Sequence, residues 1–172
     1  LEFRRVLFRS LIKRKASIGF ENKKPIILQA HTDMVCEKTL ESVHDFEKDP
    51  IDIINDGKTL TARDTTLGAD DGIGVSYLLL FLDDDEISHP DLYCLFTTQE
   101  EIGMDGAKNF DYSGIIANYL INIDGEEENT AIVGCAGGSR IRFEKKTQMF
   151  INNNNIFKLY LSDFRGGHSG VD

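Results

Sequence analysis

Residues 72–97 read GIGVSYLLLFLDDDEISHPDLYCLFT, and this stretch decides the fold class. Gly72–Leu82 carries small and apolar side chains all round, the pattern of a buried helix, and Asp83-Asp84-Asp85-Glu86 then returns the chain to solvent. Leu92–Thr97 (LYCLFT) is a short apolar run without alternation, which reads as a strand buried on both faces. Two similar runs flank it: Pro25–Gln29 (PIILQ) and Tyr119–Ile123 (YLINI). Buried strands separated by helical segments imply an α/β fold, a mostly parallel sheet with helices on both faces. Residues 34–66 are mixed and polar, with Asn55-Asp56-Gly57-Lys58 as a turn between β-type stretches.

The texture changes after Gly134-Cys135-Ala136-Gly137-Gly138. Residues 139–145 (SRIRFEK) and 157–164 (FKLYLSDF) alternate polar and apolar, as an antiparallel sheet with one wet face does. The four asparagines at 152–155 read as a loop between them. A boundary near Gly138 therefore divides an α/β part, residues 11–138, from the beginning of an α+β part, residues 139–172.

The chain has 172 residues, enough for one ordinary domain or two small ones. Its 29 acidic against 19 basic residues, a charge of −10, argue against nucleic acid, whose phosphates need clustered Lys and Arg. The longest strongly apolar run, Tyr77–Leu82, falls far short of the roughly 20 residues of a membrane span. Cys36, Cys94 and Cys135 are widely spaced and odd in number, which favours a reducing, cytoplasmic compartment over a disulfide framework. Cys94 and Cys135 read as packing residues, and His44 and His89 as ordinary surface or core residues. Residues 1–10 (LEFRRVLFRS) look like the translation of a sequencing-adaptor oligonucleotide and stand apart from the fold.

One histidine and several carboxylates sit where the strands end, the place at which α/β sheets put their ligand sites. His31-Thr32-Asp33 follows the first strand, Glu100-Glu101 the second, and Asp124 the third, while Asp70-Asp71 opens the helix. Each has an ordinary role in isolation. Asp70-Asp71 suits a helix N-cap, Glu100-Glu101 an exposed charged turn, Asp33 a turn cap, and His31 a satisfied buried histidine. Their joint placement fits a site for zinc or manganese. Two metals sharing such a site require a bridging carboxylate and a further one free to activate water.

Six segments carry a resemblance: ILQAHTDMV (27–35), TTLGADDGIGV (65–75), TTQEEIGMDGA (97–107), INIDGEEE (121–128), VGCAGG (133–138) and RGGHSGVD (165–172). In this order they resemble the M20 metallopeptidases, most closely the aminoacyl-histidine dipeptidase branch. The resemblance implies a zinc-peptidase-like catalytic domain and a co-catalytic pair of Zn2+ ions, with Mn2+ or Co2+ as substitutes. His31 and Asp124 would bind the first metal, Glu101 the second, and Asp70 both, with a cis peptide after Asp70. Asp33 would hold the other ring nitrogen of His31. Glu100 would be the general base, and His168, from the lid domain, would meet the developing oxyanion. The resemblance also implies that 11–138 is the N-terminal part of the catalytic domain and 139–172 the start of a truncated lid. The second metal's histidine ligand would then lie outside this chain, leaving it inactive alone.

The implied activity is hydrolysis of Xaa-His and other unblocked dipeptides, with a dipeptide as the small-molecule partner and a homodimer as the intact form. The alternatives are a tripeptidase or an amidohydrolase of the same superfamily, and a catalytically incomplete metal-binding module.

Overall fold

The computed structural model describes residues 2–6, 9–125, 127–135, 137, 141–146 and 157–160, without the side chains of 2–6 and 9. The chain divides into two compact units, Leu1–Asn129 and Thr130–Asp172.

The first unit is mixed α/β. Its strands are β1 (Glu2–Val6), β2 (Arg9–Arg14), β3 (Ile26–His31), β4 (Ile53–Asn55), β5 (Leu60–Ala62), β6 (Leu92–Thr97) and β7 (Tyr119–Asn122). The helices are α1 (Ala69–Asp83) and two single turns, α2 (Glu100–Gly103) and α3 (Asp105–Lys108). Five strands form one sheet in the order β1-β2-β6-β3-β7, and β4-β5 is a separate hairpin.

β6 has the bounds expected of LYCLFT, and all six of its residues are buried. It runs parallel to β3 with Ile26 opposite Leu92 and His31 opposite Thr97, and β7 runs parallel along the other side of β3. The chain thus crosses from one side of β3 to the other, which opens a crevice at the carboxyl ends of these strands. β2 lies antiparallel to β6 and β1 antiparallel to β2, so only β6, β3 and β7 are parallel. β7, at the sheet edge with no further strand beside it among the described residues, is exposed rather than buried as its apolar run suggests. Residues 2–6 and 9–10, set apart from the fold in the sequence reading, thereby lie in strands. Leu11 faces Leu95 across the β2–β6 pair, and this cross-strand burial holds a segment whose own pattern is too short to read as a strand.

One face of the sheet packs on α1, through Leu28, Ala30, Leu92, Cys94 and Phe96 against Leu78. The other face carries Leu11, Ile27, Tyr93 and Leu95 beneath Phe110, Ile115 and Ala117. Helices on both faces were expected, but among the described residues only α1 exceeds a single turn. The β6–β7 crossover is interrupted by Gly103 and Met104, both at positive φ, which ends α2 after one turn. α1 is also less buried than its all-apolar sequence suggests. Gly74 and Leu78 face the sheet, whereas Ile73, Tyr77 and Leu80 are about half exposed. Arg14 anchors the far end of this helix, donating to the carbonyls of Phe81 and Asp84 and to the Asp85 carboxylate.

The Asn55–Lys58 turn links β4 and β5 as expected, with Asn55 Oδ1 accepting from the Gly57 N–H. Cys94 is buried, and burial pushes its thiol up to about 12. Cys135 is exposed rather than packed. His89 is buried and His44 half-buried, and neither joins a metal-type cluster among the described residues. In the second unit the described residues 141–146 and 157–160 form no strand, and the rest of the expected antiparallel segment lies outside the described residues.

Candidate metal centre

The carboxyl end of β3 delivers His31, whose side chain is 1% exposed. Its Nδ1 donates to the backbone carbonyl of Asp33 at 2.9 Å, so Nε2 is the nitrogen left to face the crevice. Nε2 lies 3.0 Å from Asp70 Oδ1 and 3.6 Å from Asp124 Oδ1. Asp70 comes from the start of α1 and Asp124 from the turn after β7. The peptide between Asp70 and Asp71 is cis. Two overlapping triads result, His31/Asp71/Asp124 and His31/Asp70/Glu101, each with ligand atoms within 4.8 Å of one another.

Asp33 meets His31 differently from the expected contact. The hydrogen bond is made by its carbonyl, while its carboxylate sits 3.6 Å from Nδ1 and accepts the N–H groups of Glu100 (3.2 Å) and Glu101 (3.3 Å). The residue thus ties the HTD turn to the first turn of α2 and brings the glutamate pair beside His31. Glu101 enters a triad and Glu100 does not. His168 lies outside the described residues.

Asp71 caps the helix as the sequence reading expects, and it also reaches the histidine, a contact that reading did not foresee. It is 4% exposed, and its two oxygens accept the N–H groups of His31 and Gly74, both at 3.0 Å. One carboxylate therefore caps α1 and pins the backbone of the histidine to it. Gly74 makes this possible, because a Cβ there would collide with Asp71 Oδ1 and the Ile123 carbonyl. The available signal was the Asp-x-x-Gly spacing inside a helix.

Electrostatics follow from crowding. Burial lifts Asp124 to about 7, helped by a hydrogen bond with Asp70 and by the charges of Asp70 and Asp71. Burial raises Asp71 and Glu101 as well, and neighbouring Asp70 and Glu100 add to the rise at Glu101. For His31, burial acts downward but is outweighed by the Asp70 hydrogen bond, the Asp124 charge and the Asp33 carbonyl, so the ring is raised. An imidazole nitrogen among several mutually repelling carboxylates is the donor set a divalent cation would relieve.

No family model matches the chain. The cytosol non-specific dipeptidase of Escherichia coli strain K12 is 45% identical over 164 residues, covering 93% of this chain and 33% of that protein. The crystal structure of aminoacylhistidine dipeptidase from Vibrio alginolyticus superposes with a TM-score of 0.70 at 43% identity, over 74% of this chain and 26% of that one. The chain is a homologue of the M20 peptidases. Peptidase T of Lactobacillus helveticus is more distant, 34% identical over 122 residues, 64% of this chain and 29% of that protein. Aminopeptidase PepT from Bacillus cereus ATCC 10987 shares the fold, with a TM-score of 0.54 at 22% identity. The chain spans about a third of the length of the curated relatives it matches. Among the described residues no helix is long and apolar enough to cross a membrane.

Proposed function

We propose that this chain supplies part of the active site of a zinc-dependent dipeptidase of the cytosol, acting on Xaa-His and other unblocked dipeptides. Residues 11–138 are the N-terminal part of its catalytic domain and 139–172 begin its lid. The observation that carries this reading is the convergence of His31, Asp70, Glu101 and Asp124 from the ends of three parallel strands and the start of α1.

His31 and Asp124 would hold one cation and Glu101 the other, with Asp70 between them. Bound zinc supplies the Lewis acidity that lowers the pKa of water and polarises a peptide carbonyl. Glu100, held by Asp33 next to this set, takes the proton of the attacking water and passes it to the leaving amine. His168 donates to the oxyanion that forms at the scissile carbonyl.

The test has two parts. The 172-residue chain binds Zn2+, and His31→Ala and Asp124→Asn weaken that binding, but it shows no dipeptidase turnover. The longer gene product hydrolyses β-alanyl-histidine in preference to a tripeptide or an N-acetyl amino acid. Preference for the blocked amino acid rejects the dipeptidase reading, and robust turnover by the 172-residue chain rejects its incompleteness. A tripeptidase of the same superfamily is the second reading, and the tripeptide arm decides it.

A further inference from the structure

Three polar side chains cross the parallel strands directly beneath His31. Asn122 on β7 donates through Nδ2 to Gln29 Oε1 at 2.7 Å, and Gln29 on β3 donates through Nε2 to Thr97 Oγ1 on β6 at 3.0 Å. Thr97 is 2% exposed and points its hydroxyl at the Ala30 carbonyl, 3.4 Å away. The register explains the path. Asn122 is level with Gln29, whereas Thr97 is level with His31, so Gln29 spans diagonally from one rung to the next. Long side chains reach diagonal neighbours on a sheet face.

The position of this brace gives it a role. Residues of the metal centre leave these same three strands within a few positions: Asp124 two residues after Asn122, His31 two after Gln29, and Glu101 four after Thr97. Main-chain bonds continue the pairing on either side, Ile123 N–H to Gln29 O and Thr32 N–H to Thr97 O, both 2.9 Å. The rung below on this face is apolar, with Ile27 and Tyr93 buried in the core. Level with Gln29 on β6 stands the buried Leu95, so the brace is a polar diagonal at the border of the apolar core and the ligand cluster. It fixes the heights of the strand ends relative to one another, which apolar contacts do only loosely. We infer that Gln29 is a positioning residue for the metal centre, setting through Thr97 and Asn122 the separation of His31, Asp124 and the Glu100-Glu101 turn. This rests on the metal centre proposed above.

The 172-residue chain and its Gln29→Met and Asn122→Ala variants are titrated with Zn2+ in competition with a chromophoric chelator, and their Co2+ forms are compared by visible absorption. Ile26→Ala, at the opposite end of β3, is the control for lost stability alone. Gln29→Met keeps length and volume but not the hydrogen bonds, and is expected to weaken zinc binding by about 10–100-fold, as loss of a ligand-orienting contact does. It also shifts the Co2+ bands. Asn122→Ala, which removes only the exposed end of the brace, gives a smaller change of the same kind. Ile26→Ala lowers the melting temperature and leaves affinity and bands unchanged. Wild-type bands and zinc affinity within twofold in both brace variants overturn the inference while leaving the metal centre standing, and so does an equal loss in Ile26→Ala. Should Gln29→Met not fold, Asn122→Ala decides. A wild-type chain that binds no zinc removes the metal centre, and this inference with it.

Discussion

Gly74→Ala is the substitution most sharply constrained by the geometry. A methyl group at this position lies more than an ångström inside the ~3.5 Å contact distance from both Asp71 Oδ1 and the Ile123 carbonyl oxygen. Neither neighbour can yield freely. Asp71 is held by the N–H groups of His31 and Gly74, and Ile123 is bonded through its own N–H to Gln29. Overpacking of this kind costs about 1–3 kcal/mol, and weakening the two bonds to the buried carboxylate costs about 1.5–3 kcal/mol each if they are lost outright. Alanine returns about 1 kcal/mol of helix propensity. With partial relaxation, the net loss is about 2–4 kcal/mol, read as a lower urea midpoint at unchanged slope. Zinc affinity falls with it, because displacing Asp71 releases the His31 backbone. Gly72→Ala, two residues earlier, meets nothing within 4 Å and is neutral or stabilising by up to about 1 kcal/mol. Equal stability of the two variants would refute the reasoning.

Three further outcomes follow from the same geometry. Glu100→Gln retains zinc in the isolated chain and lowers turnover of the longer gene product by about 10²–10⁴-fold; near-normal rates would reject Glu100 as the base. In the metal-free chain the folded pKa values of Asp124 (about 7) and His31 both lie above their unfolded values, so protonation favours the folded state. For Asp124 that stabilisation is complete below its ordinary 3.8 and is lost as pH rises through about 7. Zinc competes with these protons, so its affinity climbs between about pH 5 and 7.5 with proton release measurable by calorimetry in buffers of different ionisation enthalpy, and a flat profile contradicts the assignment. Arg14→Ala frees the carboxyl end of α1 and costs about 2 kcal/mol in thermal unfolding. Zinc affinity stays unchanged, since Arg14 pairs with Leu92 at the other end of the sheet, and a parallel loss of affinity contradicts this separation.

β6 and most of β3 were legible because burial on both faces leaves an apolar run, whereas β7 carries a similar run at the sheet edge and is exposed along its whole length. LYCLFT, PIILQ and YLINI became β6, β3 and β7, and the carboxylates and histidine at their ends marked the crevice. β2 was not legible, because Leu11 and Ile12 among charged neighbours become a strand only when β6 offers Leu95 and Cys94 opposite them. The exposed face of α1 was misread for a related reason: its apolar pattern records what a helix can bury, not what packs on it among the described residues.

The sequence by itself determined which side chains stand at the strand ends, one imidazole and several carboxylates in motif order. Tertiary structure decided how they are held. That Asp33 grips Glu100 and Glu101 with its carboxylate and His31 with its carbonyl depends on loops meeting across β3 and β6. Asp71 becomes the clasp between α1 and β3 only because Gly74 leaves room for its carboxylate. Gln29 looks like one polar residue in an apolar run until the register places Thr97 and Asn122 at its two ends. Hydrogen bonds are short-ranged and directional, so partners 40 to 93 residues apart are fixed by the fold and not by their place along the chain.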